Sequence, residues 1–245
     1  TLQTLRDAAY DSYLTAFADL IPVLLKSYDQ APASNPLKAK LAEQVALLRS
    51  WDYRWSAASV PTALAVYWGE EMWRSVRAEA ESEDMTVYDF IAKRTSPGRR
   101  LQALATVSDQ LAADFGSWKM PWGDINRFQR LTGDIEQPFA DSGASIPVGF
   151  ASSRWGSLAS FGARSYKGSK KIYGTSGNSF VAVVEFGDSV RALAVTAGGL
   201  NGVPGSKHFN AQAERYAKGD LREVYFSPNQ LKGHTEREYR PGKEK

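Results

Sequence analysis

The apolar residues change period partway along the chain, and that change restricts the fold more than any other feature. Over residues 1 to about 116 they recur at steps of three and four. Beyond Trp118 the Gly, Ser and Pro content rises, and the clearest apolar signal becomes two short runs around a tight turn. A chain that passes from the helical period to the strand period reads as α+β, with a helical region over 1–117 and a strand-rich region over 118–245 in one domain.

The first half divides at its capping signals. Thr4-Leu5-Arg6-Asp7 has the form of a capping box. After it Tyr10, Tyr13, Leu14, Phe17, Leu20, Ile21, Leu24, Leu25 and Tyr28 make one apolar helical face, with Pro22 predicting a kink near Ala18–Pro22. Asn35-Pro36 opens a second helix that carries Leu37, Leu41, Val45, Leu48 and Trp51. Ser59 to Pro61 opens a third, Thr86 a short fourth, and Ser96-Pro97 a fifth that Gly116 ends.

In the second half Trp118 to Gly123 reads as a stiff aromatic loop. Phe180 to Phe186, the turn Gly187-Asp188-Ser189 and Val190 to Thr196 read as a β-hairpin. Its first strand is apolar at successive positions, the pattern of an interior strand covered on both faces. A helix at about 211–218, stopped by Gly219, and a strand at 221–226 follow, and the tail beyond Leu231 is polar.

Composition removes several classes of chemistry. The 245 residues include no Cys and only two His, His208 and His234, which excludes disulfides, thiolate sites and Cys nucleophiles and leaves little for a His-based triad or metal site. No apolar run approaches the roughly 20 residues of a membrane span, and no secretory signal is present. The chain opens at Thr1 without Met, as expected of a processed product, a trimmed chain or part of something longer. Charge is uneven. Residues 1–142 carry 15 Lys/Arg against 19 Asp/Glu, and residues 143–245 carry 15 against 8, a balance of +7. That half calls for an anionic partner or an acidic surface elsewhere in its own molecule.

Short motifs narrow the chemistry further. The glycines of 199–205 lack dinucleotide or Walker spacing. Gly156-Ser157-Leu158-Ala159-Ser160 and Gly174-Thr175-Ser176-Gly177 miss the nucleophile-elbow pattern and read as turns. Glu79, Glu81, Glu83 and Asp84 lack calcium-loop spacing and read as a solvated face. Arg164, Tyr166 and Lys167 to Tyr173 could contact phosphates, but a Lys-rich loop guarding a strand edge is the simpler reading. Thr1 could be a self-activated nucleophile, yet it runs at once into an amphipathic helix.

Taken in order, the motifs resemble a known family. Gly198-Gly199-Leu200-Asn201-Gly202-Val203-Pro204-Gly205-Ser206-Lys207-His208-Phe209-Asn210-Ala211-Gln212 is similar to the late motif of penicillin amidase-type acylases. Trp118 to Arg127, Ala9 to Leu14, Tyr173 to Phe180 and the tail Glu236 to Gly242 resemble further parts of the same family, the 9–14 segment as a helix. The residues that carry the resemblance are Trp118, Pro121, Trp122, Gly123, Gly177, Asn178, Gly198, Gly202, Pro204, Ser206, His208 and Gln212, all expected in structural roles.

The resemblance implies an N-terminal nucleophile hydrolase with an αββα sandwich, cut from a precursor into two chains. It implies a catalytic Ser at the start of the larger chain, activated by its own amine, that hydrolyses the amide of a small N-acyl compound. This sequence is similar to the carboxyl-terminal portion of that larger chain. The Ser-Asn-x-Trp start is missing, so no catalytic residue, cofactor or metal ligand is expected here. A structural calcium in the complete enzyme would take its ligands from elsewhere. The expected partners are the α chain and the upstream part of the β chain, with no membrane or nucleic acid, and the implied location is periplasmic or secreted. Two other readings stand beside it: a non-catalytic basic binding module for an anionic partner, and a self-contained Thr1 hydrolase.

Overall fold

The structure, a computed structural model, describes residues 1–235, 237, 238, 240 and 242, so the tail motif of 236–242 lies partly outside the described residues. The chain is α+β. Seven helices come first: α1 (Leu2–Ala9), α2 (Thr15–Gln30), α3 (Pro36–Lys40), α4 (Ala42–Arg49), α5 (Val60–Ser82), α6 (Val87–Lys93) and α7 (Pro97–Phe115). A short α8 (Trp122–Ile125) leads into β1 (Asn126–Phe128) and β2 (Ile146–Pro147). A 3-10 turn at Ser153–Trp155 precedes β3 (Phe161–Arg164) and β4 (Ile172–Gly177). β5 (Phe180–Glu185), β6 (Arg191–Thr196), α9 (Ala213–Lys218), β7 (Arg222–Val224) and α10 (Pro228–Leu231) complete it.

Most helix starts sit where the capping chemistry puts them. Side-chain oxygens of Asn35, Ser59, Thr86 and Ser96 accept from the first-turn N–H groups of α3, α5, α6 and α7. Gly116 ends α7 at φ +81°, a conformation that favours glycine. The first helix is different from its sequence reading. Thr1, not Thr4, is the cap, and the predicted long face is broken at residues 10–14. Leu14 N–H donates to Tyr53 O and Trp55 N–H to Ser12 O, while Asp11 holds Arg54 at 2.8 Å. Backbone pairing with a distant loop therefore outweighs the helical periodicity, and the segment 9–14 is largely a connection rather than a helix. α2 runs through Pro22 without interruption. The second predicted helix is likewise split at Leu41 into α3 and α4.

Two cores result. The larger joins Leu14, Phe17, Leu20, Ile21 and Leu24 of the α2 segment to Trp68, Met72, Leu101 and Leu104 of α5 and α7. Trp155 enters it from the strand half and stacks on Phe17 with centroids 4.8 Å apart. Gly69 permits this approach, since a Cβ there would lie 2.8 Å from the indole ring. Arg100 is buried in the same layer without a carboxylate. Its guanidinium donates to Ile91 O, Ala92 O, Thr95 Oγ1 and Ser27 Oγ, closing the end of α6. The smaller core gathers Leu2, Val148, Phe150, Phe161, Val181, Val183, Val195 and Tyr216.

The strands form a four-stranded sheet, β2-β1-β4-β3, and a three-stranded sheet, β5-β6-β7. The hairpin register runs from Phe180 opposite Thr196 to Glu185 opposite Arg191, antiparallel as its sequence predicts. Its placement is not as predicted. β5 is the terminal strand of its sheet, and it is covered on one face only. Val181 and Val183 are 7% exposed, whereas Phe180 is 61% and Val184 39% exposed. Side chains alternate strictly along a strand, so an apolar run fills two faces whether or not both have a neighbour.

Candidate functional site

The motif residues gather into three separate knots, each built on backbone hydrogen bonds. In the first, α8 joins the helical layer to β1. Trp122 Nε1 donates to Phe150 O at 3.1 Å, and Asn126 Nδ2 donates to Phe150 O and Val148 O at 2.9 Å. Gly123 N–H donates to Ala57 O at 2.7 Å, and a Cβ on Gly123 would meet Ala57 and Pro147. Trp118 packs on the helical core, and Pro121 precedes the first turn of α8. The aromatic loop of the sequence reading, Trp118 to Gly123, is thus loop as far as Pro121 and enters α8 at Trp122.

The second knot is the junction between β4 and β5. Gly177 sits at φ +115° against the Ser160 carbonyl, where no side chain fits. Asn178 N–H donates to Ser160 O and its Nδ2 to Leu158 O.

The third knot is the glycine-rich segment, and it is organised by a residue that no sequence signal marks. Arg130 donates to Phe209 O at 2.7 Å and Asn201 O at 3.1 Å, and its guanidinium lies 4.2 Å from the Phe209 ring centroid. Asn210 Nδ2 returns a hydrogen bond to Arg130 O. Ser206 Oγ accepts from His208 N–H, so the Ser-x-His pair is a local turn. Gln212, nearly buried, receives Thr196 N–H on Oε1 and donates its own N–H to Gly198 O. Gly202 and Pro204 lie on the exposed arc of this loop. The Arg130 contacts span 71 to 80 residues of sequence, beyond the reach of any local pattern.

A cleft lies elsewhere. With a volume of about 910 Å³, it opens between α5, α7 and the β3–β4 sheet, lined by Tyr67, Glu70, Asp114, Asn126, Arg154 and Lys170 among others. Its charges are largely spent on the protein. Glu70 takes Arg154 at 2.6 Å and Trp155 Nε1 at 3.1 Å, Arg154 also covers the Trp73 ring, and Lys170 Nζ donates to Asp114 O. Burial, with the nearby Asp114 carboxylate, pushes the Tyr67 phenol well above its usual range. Neither histidine lines the cleft, and no residue of the glycine-rich segment reaches it.

The other sequence candidates are committed to the fold. Thr1 Oγ1 accepts Thr4 N–H as the α1 cap. Glu79, Glu81 and Glu83 pair with Arg99, Arg77 and Arg94. In the basic segment, Lys170 N–H and Lys171 Nζ bind Asp141, and Arg164 lies over Tyr166. Among the described residues no three His, Cys, Asp or Glu side chains cluster as metal donors. Among the described residues no helix is long and apolar enough to cross a membrane.

Comparison with curated proteins returns no match. Among solved structures, a thermostable penicillin G acylase from Alcaligenes faecalis matches with 15% identity and a TM-score of 0.43, over 94% of this chain and 47% of that one. The chain therefore spans about half the length of that acylase chain. The family model for penicillin amidase matches residues 1–233. That match covers nearly the whole sequence, and the chain belongs to the penicillin amidase family.

Proposed function

We propose that these residues are the carboxyl-terminal portion of an acylase chain that hydrolyses the amide bond of a small N-acyl compound. The nucleophile is an N-terminal Ser contributed from outside these 245 residues, in an αββα sandwich to which both sheets belong. The family match over residues 1–233 carries this reading. It is supported by the employment of the local candidates: Thr1 Oγ1 caps a helix and Ser206 Oγ closes a turn. The reaction passes an acyl group from the amide to Ser and then to water, with oxyanion donors outside this chain holding the tetrahedral intermediates. Here the helical layer and the three knots fix the strands that carry the site. The partners are the α chain and the upstream β-chain segments, and the setting is periplasmic or secreted. A basic binding module has less support, because Lys170, Lys171 and Arg164 are engaged within the protein.

The test is hydrolysis of phenylacetyl and long-chain acyl amides. The protein made from its complete coding sequence should be active, the 245-residue chain alone inactive, and Thr1→Ala in the complete protein without effect. Turnover by the 245-residue chain alone would overturn the reading, and its loss on Thr1→Ala would point to the Thr1 mechanism.

A further inference from the structure

The glycine-rich segment carries an asparagine followed by a glycine, Asn201-Gly202, the only such pair in the sequence. Asparagine is thermolabile because the next main-chain nitrogen can attack its side-chain amide, and a following glycine leaves that nitrogen unshielded. The fold acts on this pair in three ways. Asn201 Oδ1 accepts Val203 N–H at 2.7 Å. A backbone N–H can only donate, so this bond identifies the side-chain carbonyl oxygen. The ring it closes contains both Asn201 Cγ and Gly202 N, and it folds the amide over the main chain. Next, Asn201 O belongs to the same peptide unit as Gly202 N, and it accepts from the Arg130 guanidinium at 3.1 Å. Lastly, the groups that must move are not held. Among the described residues neither Gly202 N–H nor Asn201 Nδ2 has a hydrogen-bond partner. Gly202 is exposed, with open space where a Cβ would stand. Asn210 in the same segment differs, since its Nδ2 donates to Arg130 O and Ala211 follows it.

We infer that Asn201-Gly202 is a self-modification site, where the fold promotes conversion of Asn201 to aspartate or isoaspartate with release of ammonia. Gly202 N–H yields its proton to solvent, and the nitrogen attacks Asn201 Cγ. The N–Cγ bond forms, the Cγ–Nδ2 bond breaks, and the departing nitrogen takes a proton from water to leave as ammonia. Water then opens the five-membered imide. Addition at Cγ gives aspartate. Addition at the Asn201 main-chain carbonyl carbon gives isoaspartate, with the chain rerouted through Cγ. The guanidinium on Asn201 O stabilises the negative charge of the deprotonated peptide unit. Val203 N–H stabilises the oxyanion that develops on Oδ1. Either product would find a donor in place: Val203 N–H for an aspartate carboxylate, Arg130 for the α-carboxylate of isoaspartate. The reaction puts a carboxylate into the half of the chain that carries +7.

The experiment uses the protein made from its complete coding sequence, incubated at neutral pH both folded and unfolded in guanidinium chloride. Peptide mapping by mass follows position 201, with Asn210 as the internal reference. Unfolding removes Arg130, 71 residues away, and the Val203 turn, so conversion should be about tenfold faster in the folded protein. Equal or slower conversion in the folded protein would overturn the inference, because the fold would then be neutral or protective. Arg130→Met separates chemical assistance from mobility. It loosens the same segment, so mobility alone would speed the conversion, whereas loss of the guanidinium should slow it several-fold. An unchanged or faster rate in folded Arg130→Met would also overturn the inference. If that variant does not fold, the comparison of folded and unfolded natural protein decides by itself.

Discussion

Arg130 holds the glycine-rich segment by a planar fork on two main-chain carbonyls and by its face on Phe209. Arg130→Met keeps most of the aliphatic stem but leaves those partly buried carbonyls without their donors, which should cost about 2 kcal/mol. Chemical denaturation should register that loss, with faster amide exchange across residues 199–209. Arg130→Lys should not restore it, since an ammonium cannot reproduce the fork. An unchanged unfolding midpoint in Arg130→Met would show that the loop is held by something else. His208, by contrast, sits in a turn that Ser206 Oγ closes on its N–H.

At the scale of elements, the helix starts are the sturdiest part of the sequence reading. The hydroxyls of Ser59, Thr86 and Ser96 each meet an N–H that would otherwise have no partner. Substituting each by Ala should lower stability by about 1 kcal/mol. Ser59→Ala should be the most costly, because Ser59 Oγ also accepts Thr62 Oγ1–H at 2.7 Å in a partly buried site, whereas the second hydrogen bond of Thr86, to Asp89 Oδ2, is exposed. Thermal melts of the three single variants check the order; equal, negligible shifts would mean that tertiary packing alone fixes these helices. The elements misread from sequence share a different cause. The break between α1 and α2 comes from pairing with residues 53–55, and the one-sided cover of β5 comes from a core that packs on the Val181 and Val183 face and leaves Phe180 and Val184 exposed.

For the whole molecule, buried phenols set the alkaline limit of stability. Burial pushes Tyr10 up to about 12 from an ordinary value of 10.0, and raises Tyr67, Tyr173 and Tyr216 further. A phenol whose pKa is higher in the folded state holds its proton there after the unfolded chain has lost it. The stabilisation is complete below pH 10 and falls as pH rises from about 10 through the folded values. Melting temperature should therefore be insensitive to these groups at neutral pH and drop steeply above pH 10, with tyrosinate absorbance appearing together with unfolding. Early, reversible ionisation of all eleven tyrosines without loss of structure would contradict it. On the acid side Asp11 and Glu79 lie below their usual values through Arg54 and Arg99, so their contribution fades as pH falls below about 4. Those pairs are exposed, and that limb should be shallow.

What the sequence by itself determined is local or cumulative. Caps, helical periods, the Gly116 stop and the hairpin are settled within a few residues, and the family follows from motifs spread along the chain in a fixed order. Tertiary structure alone decided the split of the first helix, the burial of Trp155 against Phe17, the Arg130 clamp and which face of β5 is covered. Each of these depends on a partner far away in sequence. A side chain or strand edge carries the same local signal whether or not that partner arrives, so only the assembled fold distinguishes the outcomes.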